Sequence, residues 1–250
     1  MKHNANYIYG KHAVMLAINN KANVISELYI AKGIDLTKAQ KSALEKYGVI
    51  LRGLNPAALP KEIAEESVHQ GMVAVVKPER LMDTFEHYMA ETTPTADTCV
   101  VLLGEVQDPQ NVGAIIRSAA AFGASAVMIP EHNQAPVNGT VVKVSAGMAF
   151  AIPLVKIGNV NEAMRQLKEA GYWTYGMAGE SKHSITTEQF DAPTVFVVGN
   201  EGAGIRTKTR DECDIMLSIP MNPQCESLNV ATSASLALHQ WAGQHPRALK

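Results

Sequence analysis

Apolar and polar positions divide the chain into two stretches of different rhythm. In residues 1–77 short apolar runs alternate with amphipathic ones. Val14, Leu16, Ala17 and Ile18 give Ile8 to Asn19 the pattern of a first helix after Gly10. Ser26 to Ala31 then reads as a strand, Leu36 to Tyr47 as a helix, Val49 to Leu54 as a second strand, Pro56 to Glu66 as a short helix and Gly71 to Val76 as a third strand. This alternation implies a small α/β unit able to fold alone. Residues 78–97 are polar and acidic, contain Pro78 and the run Thr92-Thr93-Pro94, and read as a linker with a helical patch from Leu81 to Ala90.

From Thr98 the apolar runs lengthen. Cys99 to Leu103, Ala126 to Ile129, Ile152 to Ile157, Trp173 to Met177, Thr194 to Val198 and Ile215 to Ile219 predict six strands. Helical patterns intervene at Gly113 to Phe122, Val141 to Ala149, Val160 to Ala170 and Arg206 to Cys213. Buried strands separated by single helices predict a second α/β domain over residues 98–250, built on a largely parallel sheet covered on both faces.

Composition adds a regional asymmetry. The 250 residues carry a net charge of -2, so there is no global basic signal for nucleic acid. Residues 1–80, however, hold 11 Lys or Arg against 7 Asp or Glu, an excess of +4 that makes the first domain the natural handle for a polyanion. Three widely spaced cysteines, Cys99, Cys213 and Cys225, argue for a reducing compartment and against a disulfide framework. With no signal-peptide pattern and no apolar run near the roughly 20 residues a membrane span needs, the expectation is a cytoplasmic protein with no membrane partner.

Candidate chemistry collects at three polar junctions, each following an apolar run of the second domain. In a parallel sheet such loops hold ligands. The first contains Asp108-Pro109, Asn111 and Gly113 and runs into a helix carrying Arg117, whose guanidinium calls for an anion: a substrate phosphate, or a structural partner in Asp108 or Glu105. The second brackets Asn200 and Glu201 with Gly199, Gly202 and Gly204. The third is an irregular turn from Pro220 to Glu226 leading into a helix expected to carry Ser227, Leu228 and Asn229 in its first turn, where helix capping is the competing role. Met221 lies in that turn, placed to line a pocket.

Several common chemistries lack their signatures. The glycine spacing at 199–204 is G-x-x-G-x-G rather than the dinucleotide G-x-G-x-x-G, and there is no Gly-Lys-Ser or Gly-Lys-Thr phosphate loop. The eight histidines are scattered without metal-ligand spacing, so no metal is expected. Ser227 has no nucleophile elbow, which leaves a hydrolase as a distant alternative.

The ordered set NVGAIIRSAAAFG (Asn111 to Gly123), VVGNEGAGI (Val197 to Ile205) and IPMNPQCESLNVATSASLAL (Ile219 to Leu238) resembles the three motifs of the SpoU family of RNA ribose 2′-O-methyltransferases, within the SPOUT superfamily. IYGKHAV (Ile8 to Val14) and VHQG (Val68 to Gly71) are similar to segments of its 23S ribosomal RNA guanosine branch. The resemblance implies a catalytic domain with a deep trefoil knot, preceded by a small ribosomal-protein-like RNA-binding domain. It implies S-adenosylmethionine as cofactor, 23S ribosomal RNA as partner and a homodimer packed through the knotted domain. Carried over position by position, it gives Gly199, Ile219 and Leu228 the adenosine, with Met221 and Gly204 beside them, and gives Asn111, Arg117, Glu201, Ser227 and Asn229 the catalytic centre. Lys11, His12, His69 and Gln70 are expected to face RNA, against capping or packing roles for His12 and His69.

This sequence departs from the pattern at Pro223, where glycine is usual, at Cys225, where valine is common, and at Ala231, where serine is frequent. None removes a member of the catalytic set. A transfer-RNA ribose methyltransferase and a non-catalytic RNA-binding or ribosome-assembly protein of the same fold stand as alternatives.

Overall fold

The computed structural model describes residues 6–55, 59, 63 and 69–249. Its internal contacts group Met1–Leu81 with Val137–Ala151 as one unit, and Met82–Pro136 with Ile152–Lys250 as a second.

The first unit has a four-stranded sheet in the order β1-β4-β2-β3, from β1 (Asn6–Tyr9), β2 (Ile25–Ile30), β3 (Ile50–Gly53) and β4 (Met72–Val76). β4 pairs antiparallel with β1 and β2, and β3 adds parallel to β2. Helix α1 (Lys11–Lys21) buries Val14, Ala17 and Ile18. Helix α2 (Lys38–Lys46) buries Leu44 and is started by a capping box, in which Thr37 Oγ1 accepts from Gln40 N and Gln40 Oε1 from Thr37 N. The chain opening differs from the expected helix over Ile8 to Asn19. Ile8 lies in β1, and Gly10, at φ 91°, turns the chain into a helix that begins only at Lys11. The helix expected over 56–66 lies outside the described residues, apart from Leu59 and Ile63, which are buried against Tyr29 and Val73. The segment Val137–Ala151, expected with the second domain, groups here with a short helix Gly139–Val144 and a 3₁₀ turn Met148–Phe150.

The second unit is an eight-stranded sheet in the order β10-β12-β9-β11-β6-β7-β8-β5. Its strands are β5 (Met82–Thr84), β6 (Cys99–Leu103), β7 (Ala126–Pro130), β8 (Leu154–Ile157), β9 (Trp173–Met177), β10 (His183–Ser184), β11 (Thr194–Val198) and β12 (Ile215–Ser218). Every pairing in it is parallel. The helices are α3 (Phe85–Glu91), α4 (Pro109–Ala121), α5 (Val160–Glu169), α6 (Thr207–Glu212) and α7 (Val230–Gln244).

Burial follows the period of two that a covered sheet requires. Val100, Leu102, Val195 and Val197 pack with Ala163, Met164 and Leu167 of α5. The alternate residues Val101, Leu103, Phe196 and Val198 are buried as well, and α4 and α7 pack against each other and against β7 and β11. Residues 78–97, expected as a linker, instead add an edge to this sheet. β5 pairs with β8, and Phe85 and Tyr88, three residues apart on α3, sink into the core beside Val155 and Ile157.

Leu102 is fully buried at the centre of the sheet. Leu102→Ala is expected to lower unfolding free energy by about 2–5 kcal/mol, read from urea denaturation of the two proteins.

Candidate active site

A parallel sheet delivers the loops after its strands to one edge, and here four neighbouring strands, β12, β9, β11 and β6, send theirs to the same place. After β6 the backbone turns through Glu105 at φ 71°, a left-handed conformation uncommon for residues other than glycine. Asp108 then caps α4, its carboxylate accepting from Gln110 N at 2.8 Å, with Pro109 at the first helical position.

After β11 the chain closes a tight hairpin. Asn200 and Gly204 exchange backbone hydrogen bonds at 2.9 Å, and Asn200 Oδ1 accepts from Gly202 N and Ala203 N, each at 3.0 Å. Gly199 must be glycine, because a Cβ there would lie 2.3 Å from the Gly204 carbonyl carbon. After β12, the stretch Asn222-Pro223-Gln224-Cys225 is a turn closed by Cys225 N donating to Asn222 O at 2.9 Å, with Asn222 Oδ1 accepting from Gln224 N. Pro223 thus occupies the position of a turn that its fixed φ favours, and the N–H it lacks is not one the turn uses.

Two asparagines and a carboxylate join the three loops. Glu201 Oε1 accepts from Asn111 Nδ2 at 3.0 Å and from Asp108 N at 3.2 Å. Asn111 Oδ1 accepts from Asn229 Nδ2 at 2.9 Å, and Asn229 Oδ1 caps α7 by accepting from Ala231 N at 2.8 Å and Thr232 N at 3.3 Å. The helix therefore starts at Val230, later than expected, and Ser227 and Leu228 belong to the preceding loop. Ser118 of α4 and Ser235 of α7, whose hydroxyls lie 2.7 Å apart, link the two helices further along. Burial pushes the Glu201 carboxyl up, but the hydrogen bonds from Asn111, its own loop and the amides of Asp108 and Gln107 outweigh it and hold the group below the usual glutamate range.

Beside this relay lies a cleft of ≈ 460 Å³, within the size range of small-ligand pockets. Gly199, Gly204, Ile219, Met221 and Leu228, the five expected cofactor residues, all line it, together with Glu201 and Ser227. Asn111 and Asn229 are absent from the lining and reach its wall through Glu201. Arg117 also lies outside the lining, exposed on α4. It does not form the ion pair considered from sequence. Glu105 is taken by Arg206 at 2.7 Å, Asp108 is the helix cap, and among the described residues no hydrogen bond or ion pair holds the Arg117 guanidinium.

The lining also includes Met177 at the end of β9, Ala178, Gly179 and Glu180 after it, and Arg210 of α6, none of them singled out from sequence. The signal was there in Gly179, two residues past a strand. Among the described residues no cluster of His, Cys, Asp or Glu has metal-site geometry, and no helix is long and apolar enough to cross a membrane.

In the first unit Lys11 and His12 are exposed at the start of α1. Gln70, at φ 48°, caps that helix, its Oε1 accepting from Lys11 N at 3.1 Å, while His69 Nδ1 accepts from Gly71 N at 3.1 Å. His69 thus has the capping role weighed for it.

Comparison with known proteins meets this geometry at two levels. The SpoU rRNA Methylase family profile matches residues 98–239, and a profile for RNA 2′-O ribose methyltransferase substrate binding matches residues 7–82. The chain belongs to the SpoU rRNA methylase family. This SpoU chain is 35% identical over 236 residues to the 23S rRNA (guanosine-2′-O-)-methyltransferase RlmB of Escherichia coli K12, covering 93% of this chain and 96% of that protein. It is 37% identical to the protein of the same name from Xanthomonas campestris, over 94% of each. Among solved structures, the SpoU methyltransferase AviRb from Streptomyces viridochromogenes in complex with AdoMet superposes with a TM-score of 0.74 at 25% identity, covering 96% of this chain and 90% of that one.

Two outcomes follow for the SpoU site. Gly199→Ala is expected to displace the 199–204 hairpin and reduce cofactor affinity by about tenfold or more, measured by calorimetry. Because the Glu201 carboxyl is held low, the stability it confers is complete above the ordinary glutamate value of about 4.3 and is lost as pH falls through its folded value. Glu201→Gln should therefore flatten the acid limb of a stability-against-pH profile below about pH 5; a profile parallel to the parent's would exclude the relay as the cause.

Proposed function

We propose that this SpoU chain transfers a methyl group from S-adenosylmethionine to the ribose 2′-hydroxyl of a guanosine in 23S ribosomal RNA. Near-complete alignment with two RlmB proteins, through the substrate-binding region as well as the methylase region, carries the reading. The cofactor fits the residues present. Met177, Ile219, Met221 and Leu228 offer apolar walls for a purine, and the backbone of Gly199 to Gly204 and Ile219 to Leu228 supplies donors and acceptors around it.

When bound, the cofactor supplies an electrophilic methyl on a sulfonium, so the protein's task is alignment of a weak nucleophile and management of its proton. We assign the RNA phosphate beside the target ribose to Arg117. Its guanidinium is exposed and uncommitted among the described residues, and it presents a fork of donors matched to phosphate. A guanidinium stays protonated in proteins, so stabilising the developing alkoxide suits it better than accepting the hydroxyl proton. Asn111, locked between Glu201 and Asn229, holds the α4 start against the loop that carries Ser227, and Ser227 faces the cleft. Lys11 and His12 are assigned phosphate and ribose contacts in the first domain, with Gln70 and His69 shaping the turn beneath them.

The same reading makes the chain a homodimer through its catalytic domain, with the trefoil knot of its relatives' superfamily, acting in the cytoplasm on ribosomal RNA. RNA binding is assigned to the unit of Met1–Leu81 with Val137–Ala151, and methyl transfer to the unit of Met82–Pro136 with Ile152–Lys250.

Incubation with methyl-labelled S-adenosylmethionine and 23S ribosomal RNA from cells lacking the gene is expected to place label on one guanosine ribose. Label on a base, or on transfer RNA in preference, would sink the assignment. Arg117→Ala should lower kcat/KM by about 10²-fold or more.

A further inference from the structure

The loop after β9 enters the cleft at its centre, because β9 lies between β11 and β12 in the sheet. Residues Ala178 to Glu180 therefore emerge between the two loops assigned to the cofactor's adenosine, one carrying Gly199 and the other Ile219 and Leu228. The loop is well anchored. Ala178 N donates to Leu217 O at 2.9 Å, Ser181 Oγ donates to Met216 O at 2.5 Å, and Ser181 N returns to Ala178 O. Gly179 keeps the passage open, its nearest neighbour in the direction of a Cβ being Met221 Cε at 4.0 Å.

Four charged side chains line the cleft: Glu180, Glu201, Glu226 and Arg210. Glu201 is consumed by Asn111 and the loop amides. Glu226 makes no ion pair among the described residues. Glu180 alone is paired with the cation, Arg210 Nη1 lying 2.5 Å from its Oε1. A carboxylate offers about four lone-pair sites across its two oxygens, so engagement by one guanidinium leaves sites for further donors.

We infer that Glu180 is a cofactor-binding residue whose carboxylate accepts hydrogen bonds from the ribose hydroxyls of the cofactor's adenosine, with Arg210 orienting it. The inference rests on the reading of this cleft as the S-adenosylmethionine site. Its chemical basis is charge matching. A carboxylate already neutralised by a guanidinium suits a neutral vicinal diol, which adds donors without competing for the ion pair. The cofactor's ammonium, by contrast, would have to displace Arg210 or sit beside it, a like-charge contact. The two exposed partners give little stability to the fold, so the pair is free to serve the ligand. The hydrogen bonds Glu180 already accepts, from its own loop first and from Arg210 second, hold its carboxyl below the usual range and keep it an acceptor at neutral pH.

The test is calorimetric titration of the full chain and its Glu180→Ala and Glu180→Gln variants with S-adenosylhomocysteine, with 5′-methylthioadenosine, which lacks the amino-acid end, and with the 2′,3′-dideoxy form of the latter. Glu180→Ala is expected to weaken the first two ligands equally, by about 10- to 100-fold, with a smaller loss for Glu180→Gln. Against the dideoxy ligand all three proteins should bind alike. In turnover, KM for the cofactor should rise while kcat at saturation holds, and Arg210→Ala should reproduce part of that rise with kcat likewise unchanged. A Glu180→Ala penalty seen with S-adenosylhomocysteine but absent with methylthioadenosine would move the contact to the amino-acid end and overturn the inference. So would unchanged binding of every ligand. A parent protein that binds none of them overturns the cofactor reading itself, and the inference with it.

Discussion

The carboxylate of Glu201 accepts from Asn111, and Asn111 accepts from Asn229, at 3.0 and 2.9 Å. These two contacts join residues 90 and 118 positions apart in the chain. Each is worth about 1 kcal/mol net in a partly exposed setting, far too little to bring three loops together from an unfolded chain. The sheet does that. Parallel pairing of β6, β11, β9 and β12 puts all their carboxyl ends on one side, and α4 and α7 pack on each other regardless of the relay. What the asparagines add is direction. An amide held as donor on one side and acceptor on the other has one orientation, and Asn229, the side chain that donates to Asn111, is the one whose Oδ1 accepts the capping bonds of α7. The site is thus a by-product of topology made specific by three polar side chains.

Legibility in the sequence followed burial. Cys99–Leu103, Trp173–Met177 and Thr194–Val198 have the bounds their patterns predict, because a strand covered on both faces is apolar nearly throughout, and the threonines among them, Thr174 and Thr194, are buried as well. Strands lacking that environment leave no readable pattern. β10 has two residues, β5 has three at the edge of the sheet, and β1, with only Ile8 fully inside, was absorbed into the helix that follows. The segment read as a linker was acidic because one face of α3 is exposed, while its buried face needs only Phe85 and Tyr88. Ser227 and Asn229 are both good caps by residue type, and it is the bonds that Asn229 Oδ1 accepts from Ala231 N and Thr232 N that start α7 at Val230.

The candidate site shows the same division. Glycine-rich and asparagine-bearing loops could be found from sequence because their residues are chosen for backbone geometry, as Gly199 is by the hairpin it closes. Partnerships could not. Glu105 is a reasonable match for Arg117 by spacing along the chain, yet Arg206, 101 residues away in sequence, takes it. Glu180 carries no signature at all, since its relevance comes from β9 lying between β11 and β12, an order that crosses the sequence.

That order also sets the field in which a ligand sits. Three carboxylates and one guanidinium border the cleft, and the hydrogen bonds around Glu180 and Glu201 keep both ionised at neutral pH. The surplus is negative, which favours a ligand carrying net positive charge over one of the same shape that is neutral. The groups are solvent-exposed, so screening holds each such attraction to about 1 kcal/mol or less. A preference of that size is useful because it is small. A methyl donor bearing a sulfonium differs from its spent thioether form by one positive charge and one methyl group, so a cleft of modest negative surplus holds the first more firmly than the second. Deep burial of the same carboxylates would strengthen both the attraction and the cost of leaving them unpaired between turnovers, whereas at the mouth of the sheet water takes the ligand's place.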